Sequence, residues 1–148
     1  LRVLRRHRLI EQFLVQTLNL TWDEIHEEAE NMEHAVSDHL ADRIDQFLGH
    51  PDVDPHGDPI PKADGSIEMP DSQSLATCEQ GKTFRLTRVI DQSSSFLKYL
   101  SEAGLSLGTE GRVLTNRREA GIVTVDIAGE EIALGHDAAS KILVTAHR

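Results

Sequence analysis

A single cysteine, Cys78, excludes an internal disulfide and fits a reducing, cytoplasmic setting. No apolar run approaches the roughly 20 residues that span a bilayer, and no signal-peptide pattern opens the chain, so no membrane partner is expected. Positive charge is also short: 15 Lys and Arg face 25 Asp and Glu, a formal net charge of −10. Proteins that hold nucleic acid through its phosphates show a basic face. The only dense basic cluster here is Arg2, Arg5, Arg6 and Arg8, so the chain as it stands is expected to bind DNA poorly. Leu1 is no natural initiator, which suggests a chain taken from inside a longer gene product.

Glycine is missing before Gly49, all five prolines fall between Pro51 and Pro70, and seven of the ten glycines lie from Gly81 onward. Hydrophobic residues make up 39% and charged residues 27%, the balance of a soluble globular protein. These distributions divide the chain into a helical segment (1–48), a proline-rich connector (49–79) and a turn-rich β segment (80–148), an α+β arrangement.

In the first segment Leu4, Leu9, Ile10, Phe13, Leu14 and Leu18 predict a helix to about Thr17, with a short break at Asn19 and Leu20. Thr21-Trp22-Asp23-Glu24 matches a capping box, and one long helix is expected from there to about Leu48, stopped by Gly49 and Pro51. Ile25, Met32, Val36, Leu40, Ile44 and Phe47 form an apolar stripe along it. Two helices alone make a thin core, so the stripe is expected to pack on a second copy as a homodimer. In the third segment, strands are predicted around 84–90, 111–115, 122–127, 131–134 and 142–145. A helix is predicted at 93–103 and a helical turn at 137–140. Five short strands in so few residues argue for a small barrel.

The chemistry-bearing residues cluster on the helices. At about 100° per residue, Glu33, His26, Glu30 and His34 fall at roughly −20°, 0°, 40° and 80°, one arc beside the apolar stripe. His7 and Glu11, four residues apart, share a face of the preceding helix. If the helices pack antiparallel, these faces meet, and imidazoles with carboxylates suit Fe²⁺, Mn²⁺, Zn²⁺, Co²⁺ or Ni²⁺. A solvated acidic face is the competing reading, and it is adopted for Glu27, Glu28, Asp38, Asp42, Asp45 and His39. A metal-dependent enzyme is a weaker alternative. His26 to Glu30 lacks the second His of the zinc-protease motif, and Glu30 to His34 lacks the first His of its inverted form. His50 and His56 remain as other imidazoles to which a metal could go.

Arg6-His7-Arg8-Leu9-Ile10-Glu11, Ile25-His26-Glu27-Glu28-Ala29-Glu30, Met32-Glu33-His34-Ala35-Val36-Ser37 and Pro55-His56-Gly57-Asp58-Pro59-Ile60-Pro61, in that order, resemble the diphtheria-toxin-repressor family of iron and manganese regulators. Gly104-Leu105-Ser106-Leu107-Gly108 and its flanking strands resemble the small SH3-like barrel of that family, which is related to the FeoA domain. The resemblance implies a helical dimerisation and metal-binding domain followed by that barrel. Operator DNA is then read only through an N-terminal winged helix-turn-helix that this chain lacks.

By the same resemblance, His7, Glu11 and His26 form an ancillary metal site. Glu30, Glu33 and His34 form the primary site, completed in the family by a side chain nearer the N-terminus. Glu30 stands where iron-type members carry cysteine and manganese-type members glutamate, which shifts the expected cofactor toward Mn²⁺ over Fe²⁺. Arg8 matches an anion-holding arginine, but Asp54 and Asp58 replace its neutral companions and disfavour a bound anion. Gln92 and Ser95, or Asp91, align with barrel residues that lend ligands to the ancillary site. A stand-alone dimeric metal-binding module is the remaining alternative.

Overall fold

The computed structural model describes residues 2–68 and 71–147, and the chain divides into two compact units, Leu1–Pro70 and Asp71–Arg148. Each is described by itself.

The first unit carries three helices: α1 (Arg2–Leu18), α2 (Ile25–Glu33) and α3 (Asp38–Phe47). Helix α1 stops where Asn19 takes a left-handed conformation (φ 55°), which a short polar side chain tolerates. Between α1 and α2 the Thr21 N–H donates to Glu24 Oε1 at 2.8 Å, half of the expected capping box, and the helix begins only at Ile25.

The single long helix expected to Leu48 is replaced by two. The chain breaks at residues 34–37, where Ser37 is extended (φ −72°, ψ 163°) and its hydroxyl accepts from the Leu40 N–H at 3.1 Å. That is an N-cap, which starts α3 in a new direction. The expected stripe is split as a result. Ile25 and Val36 are buried in the unit's own core, Met32 and Ile44 pack partly against it, and Leu40 and Phe47 remain 47% and 70% exposed.

That core joins Leu9, Ile10 and Leu14 of α1 to Ile25, Ala29, Val36, Ala41 and Ile60. Burying each large aliphatic side chain stabilises by about 1.5–3 kcal/mol. Charge adds a clamp between α1 and α3. Arg2 and Arg6 reach Asp38 (3.5 and 3.1 Å), while Arg5 reaches Asp42 and Asp45 (2.9 and 3.0 Å). The basic cluster is thus occupied internally. Asp38, Asp42 and Asp45, read from the sequence as a solvated face, are its partners.

The stretch read as a connector is shared between the units. Residues 54–61 are buried in the first, and Gln73 onward joins the sheet of the second. The loop closes on itself through a Val53–Pro59 bridge and an Asp54 N–H donating to the Asp58 carbonyl at 2.9 Å.

The second unit is a six-stranded antiparallel sheet: β1 (Gln73–Ser74), β2 (Thr83–Val89), β3 (Glu110–Arg117), β4 (Ile122–Ile127), β5 (Glu130–Gly135) and β6 (Ile142–His147), in the order β1-β6-β2-β3-β4-β5. Helix α4 (Ser94–Glu102) and the short α5 (His136–Ser140) join its strands. All five expected strands are present, and the two-residue β1 is the addition. Register shifts in β2 between Leu86 and Arg88 and in β3 between Val113 and Thr115 are the irregularities that bend such small sheets. Gly111 is required by close packing, since a Cβ there would lie 2.8 Å from the Phe84 ring and 2.9 Å from the Asp126 carbonyl oxygen.

Candidate metal centre

Helix α1 projects His7 and Glu11 from one face, as their four-residue spacing dictates, and α2 packs across it to bring His26 alongside. His7 Nε2 lies 3.2 Å from His26 Nδ1 and 3.5 Å from Glu11 Oε2, and His26 Nδ1 lies 3.7 Å from the same oxygen. Ligands bonded at about 2.0–2.2 Å to one ion sit about 3–3.5 Å apart, so this trio has the spacing of a coordination edge.

The buried loop adds a second arm. Asp54, His56 and Glu11 form another group whose ligand atoms lie within 4.8 Å of one another, and all three residues are at most 1% exposed. Asp54 Oδ1 accepts from the backbone N–H groups of His56 and Asp58, both at 2.9 Å, which folds the loop around the carboxylate. Gly57, at φ 85°, makes the tight turn.

His56 is decisive. Its Nε2 stands 2.7 Å from the Trp22 carbonyl oxygen, an acceptor only, so Nε2 carries the hydrogen and donates. In the neutral ring Nδ1 then holds a lone pair, directed at Glu11 Oε2 3.8 Å away. Both atoms are buried; His56 Nδ1 has no hydrogen-bond partner, and Glu11 Oε2 has only the long contact to His7 at 3.5 Å. Two buried electron-pair donors facing each other are unfavourable unless a proton or a metal cation lies between them. The residues present therefore fit a divalent metal.

The site's own charges respond to this crowding. The Glu11 carboxylate raises the His7 pKa from 6.5 to about 9; burial opposes the rise, and Glu33 adds to it. Burial, with Asp58 and Glu11 beside it, pushes the Asp54 carboxyl from 3.8 up to about 8. Burial resists ionisation of Glu11, yet hydrogen bonding from His7 and the neighbouring imidazoles hold it below the usual carboxylate range. Without an ion the site keeps protons where a metal would place positive charge.

The remaining expected residues lie alongside. Glu33 Oε2 is 2.7 Å from His7 Nδ1, Glu30 Oε1 is 3.5 Å from His26 Nε2, and His34, 78% exposed at the end of α2, has its Nε2 3.5 Å from Glu33 Oε1. Among the described residues, Glu30, Glu33 and His34 do not converge on a common point as the other two groups do. His56 was placed outside the ligand set by the sequence reading. Its signal was the flanking pair Asp54 and Asp58 in a short glycine-containing turn, concealed by the reading of that stretch as a connector.

Residues 1–62 match the family described as the iron dependent repressor, metal binding and dimerisation domain, and residues 73–146 match the FeoA domain. A solved structure of a manganese-dependent transcriptional repressor is 46% identical, with a TM-score of 0.93 over 98% of this chain and 79% of that one. The chain belongs to the iron-dependent repressor family. A second solved member, a manganese-dependent transcriptional repressor in complex with manganese, is 46% identical with a TM-score of 0.92, covering 99% of this chain and 70% of that one. The iron-dependent repressor IdeR of Mycobacterium tuberculosis is 30% identical, over 96% of this chain and 66% of that protein. The chain thus spans just under two thirds of that relative's length.

In the FeoA-like part of this repressor-family chain, the three residues aligned with barrel ligands have local partners. Asp91 Oδ2 pairs with Lys141 at 3.2 Å, the Gln92 amide donates to the Val89 carbonyl at 3.3 Å, and Ser95 Oγ lies 3.5 Å from Ser93 Oγ. No described helix is long and apolar enough to cross a membrane.

Proposed function

We propose that this chain is the metal-sensing and dimerising portion of a transcriptional regulator that responds to Mn²⁺ or Fe²⁺. The observation that carries the reading is the buried Glu11 Oε2, with ring nitrogens of His7, His26 and His56 all within 3.8 Å of it and His56 Nδ1 lacking any hydrogen-bond partner. His7, Glu11, His26 and His56 are its ligands, with Asp54 completing the set in place of a bound anion. The bound ion supplies the positive charge that these donors lack. Its ligands come from α1, α2 and the 54–58 loop, so binding favours the arrangement in which all three are closed together. The carboxylate at Glu30 and the solved manganese-bound relative favour Mn²⁺.

Glu30, Glu33 and His34 serve as the outer group at which a second ion acts. A second copy of the chain is the partner, and the exposed Leu18, Leu40 and Phe47 are the apolar surface available to it. In such a regulator, operator DNA is recognised by a winged-helix segment whose placement the metal controls.

Calorimetric titration with Mn²⁺ tests the site. Wild type binds, and Glu11→Ala, which removes the carboxylate common to both arms, weakens binding by more than about 100-fold. Unchanged affinity in Glu11→Ala refutes the assignment.

A further inference from the structure

Three imidazoles converge on the buried site, and each has its second nitrogen directed at a different acceptor. His56 Nε2 donates to the Trp22 carbonyl at 2.7 Å, His26 Nε2 lies 3.5 Å from Glu30, and His7 Nδ1 lies 2.7 Å from Glu33. The two carboxylate contacts differ greatly in quality. His26 and Glu30 have side chains 55% and 60% exposed, so water competes for their contact and screens it. His7 and Glu33 are 14% and 12% exposed, at a distance typical of a charge-assisted hydrogen bond.

A hydrogen on His7 Nδ1 committed to Glu33 leaves Nε2 as the lone-pair nitrogen of the neutral ring. That is the atom facing Glu11 and His26. Without Glu33 the ring is free to rotate or to take the other tautomer, which places a hydrogen where the ion must bind.

We propose that Glu33 is a positioning residue for the buried ion, acting through His7 by fixing the ring's orientation and its Nε2 lone pair. The proposal rests on the reading of His7, Glu11, His26 and His56 as metal ligands. It gives Glu33 a role at the inner group, in addition to the one implied for it at the outer group.

The test uses the full chain with Co²⁺ alone as probe. Trp22, the only tryptophan, stacks on His56 with ring centroids 6.2 Å apart, so its quenching reports occupancy of the buried site. The cobalt visible spectrum reports the ligand set. Glu33→Ala weakens the Trp22-sensed event by about 10–100-fold, Glu33→Gln, which keeps an acceptor, restores most of it, and Glu28→Ala, on the exposed face of the same helix, changes it by less than about threefold. A Glu33→Ala protein that binds the Trp22-sensed ion normally and loses only metal that Trp22 does not sense overturns the proposal. So does a Glu33→Gln protein as weak as Glu33→Ala.

Nitrogen NMR of the Zn²⁺-loaded wild type needs no variant. A protonated Nδ1 and a metal-bound Nε2 on His7 are expected, and the opposite tautomer overturns the idea. Absence of any Trp22-sensed event in wild type refutes the metal-site reading itself, an outcome distinct from a variant that binds normally.

Discussion

The helical unit buries Glu11, Asp54, His56 and Asp58, whereas the buried side chains described in the sheet unit are all apolar apart from the thiol of Cys78. The sheet unit fills its interior with Phe84, Leu75, Leu86, Leu97, Leu100, Leu105, Leu134 and Ile142, which need no partner beyond one another. The helical unit gives part of a thin core to groups that are costly to bury unless charge is balanced. A core that is complete without a ligand suits a fixed scaffold. One left with facing lone pairs suits a switch, because the missing interaction is supplied from solution. The comparison separates a unit that folds by packing from one that, on the proposed reading, links its stability to an ion.

The largest effect expected from breaking this comparison lies in the sheet unit. Phe84, 1% exposed and packed over Gly111, leaves a cavity when cut back. Phe84→Ala should destabilise that unit by about 3–5 kcal/mol, measured as loss of amide-exchange protection in β2, β3 and β4. Mn²⁺ binding reported by Trp22 should be unchanged. A matching loss of metal affinity would show that the two units do not behave independently.

The next effect is the converse. Mn²⁺ at about 100 times its dissociation constant should add about 2.7 kcal/mol to the unfolding free energy of the helical unit, followed by Trp22 fluorescence. Exchange protection in the sheet strands should not change. Equal protection of both units by metal would remove the distinction drawn between their cores.

The two units were also unequally legible in the sequence. The sheet strands follow from period-two apolar runs between glycines, and each expected strand is found because local pattern and burial agree there. In the helices the periodicity ran unbroken through residues 34–37, and the decisive Ser37 cap competes with helix only through one hydroxyl contact. His7, Glu11 and His26 were legible because i, i+4 spacing and a single helix packing bring them together. Asp54 and His56 were not legible in the periodicity, since a loop that returns to a helix leaves no periodic trace; Asp54 entered only through the resemblance and His56 only as another imidazole. Proline-rich sequence read as connector is here a buried loop that carries Asp54 and His56.

The last prediction concerns pH, with an effect of about 1.4 kcal/mol per unit for each proton exchanged. In the metal-free protein His7 holds its proton up to about 9 against an ordinary 6.5, and Asp54 up to about 8 against 3.8. Both groups bind protons more tightly when folded, so between the ordinary and raised values the native state carries more protons than the unfolded one. Stability therefore falls as pH rises, through Asp54 from about 4 to 8 and through His7 from about 6.5 to 9. Glu11, held low, acts in the opposite sense only under more acidic conditions. Metal reverses the trend, because an ion must displace the His7 proton and gains up to about tenfold in affinity per pH unit until that proton is gone. Between pH 6.5 and 8, then, the Trp22-reported melting midpoint should drop without metal, while the midpoint shift produced by Mn²⁺ should grow. In the sheet unit Cys78 is pushed above its ordinary 9.0 and the half-buried Asp91, bonded by Ser93 and paired with Lys141, is held low, so neither titrates in this window and the unit's exchange protection should stay level. A metal-free helical unit that gains stability across the window would mean that Asp54 and His7 are not held as the buried geometry holds them.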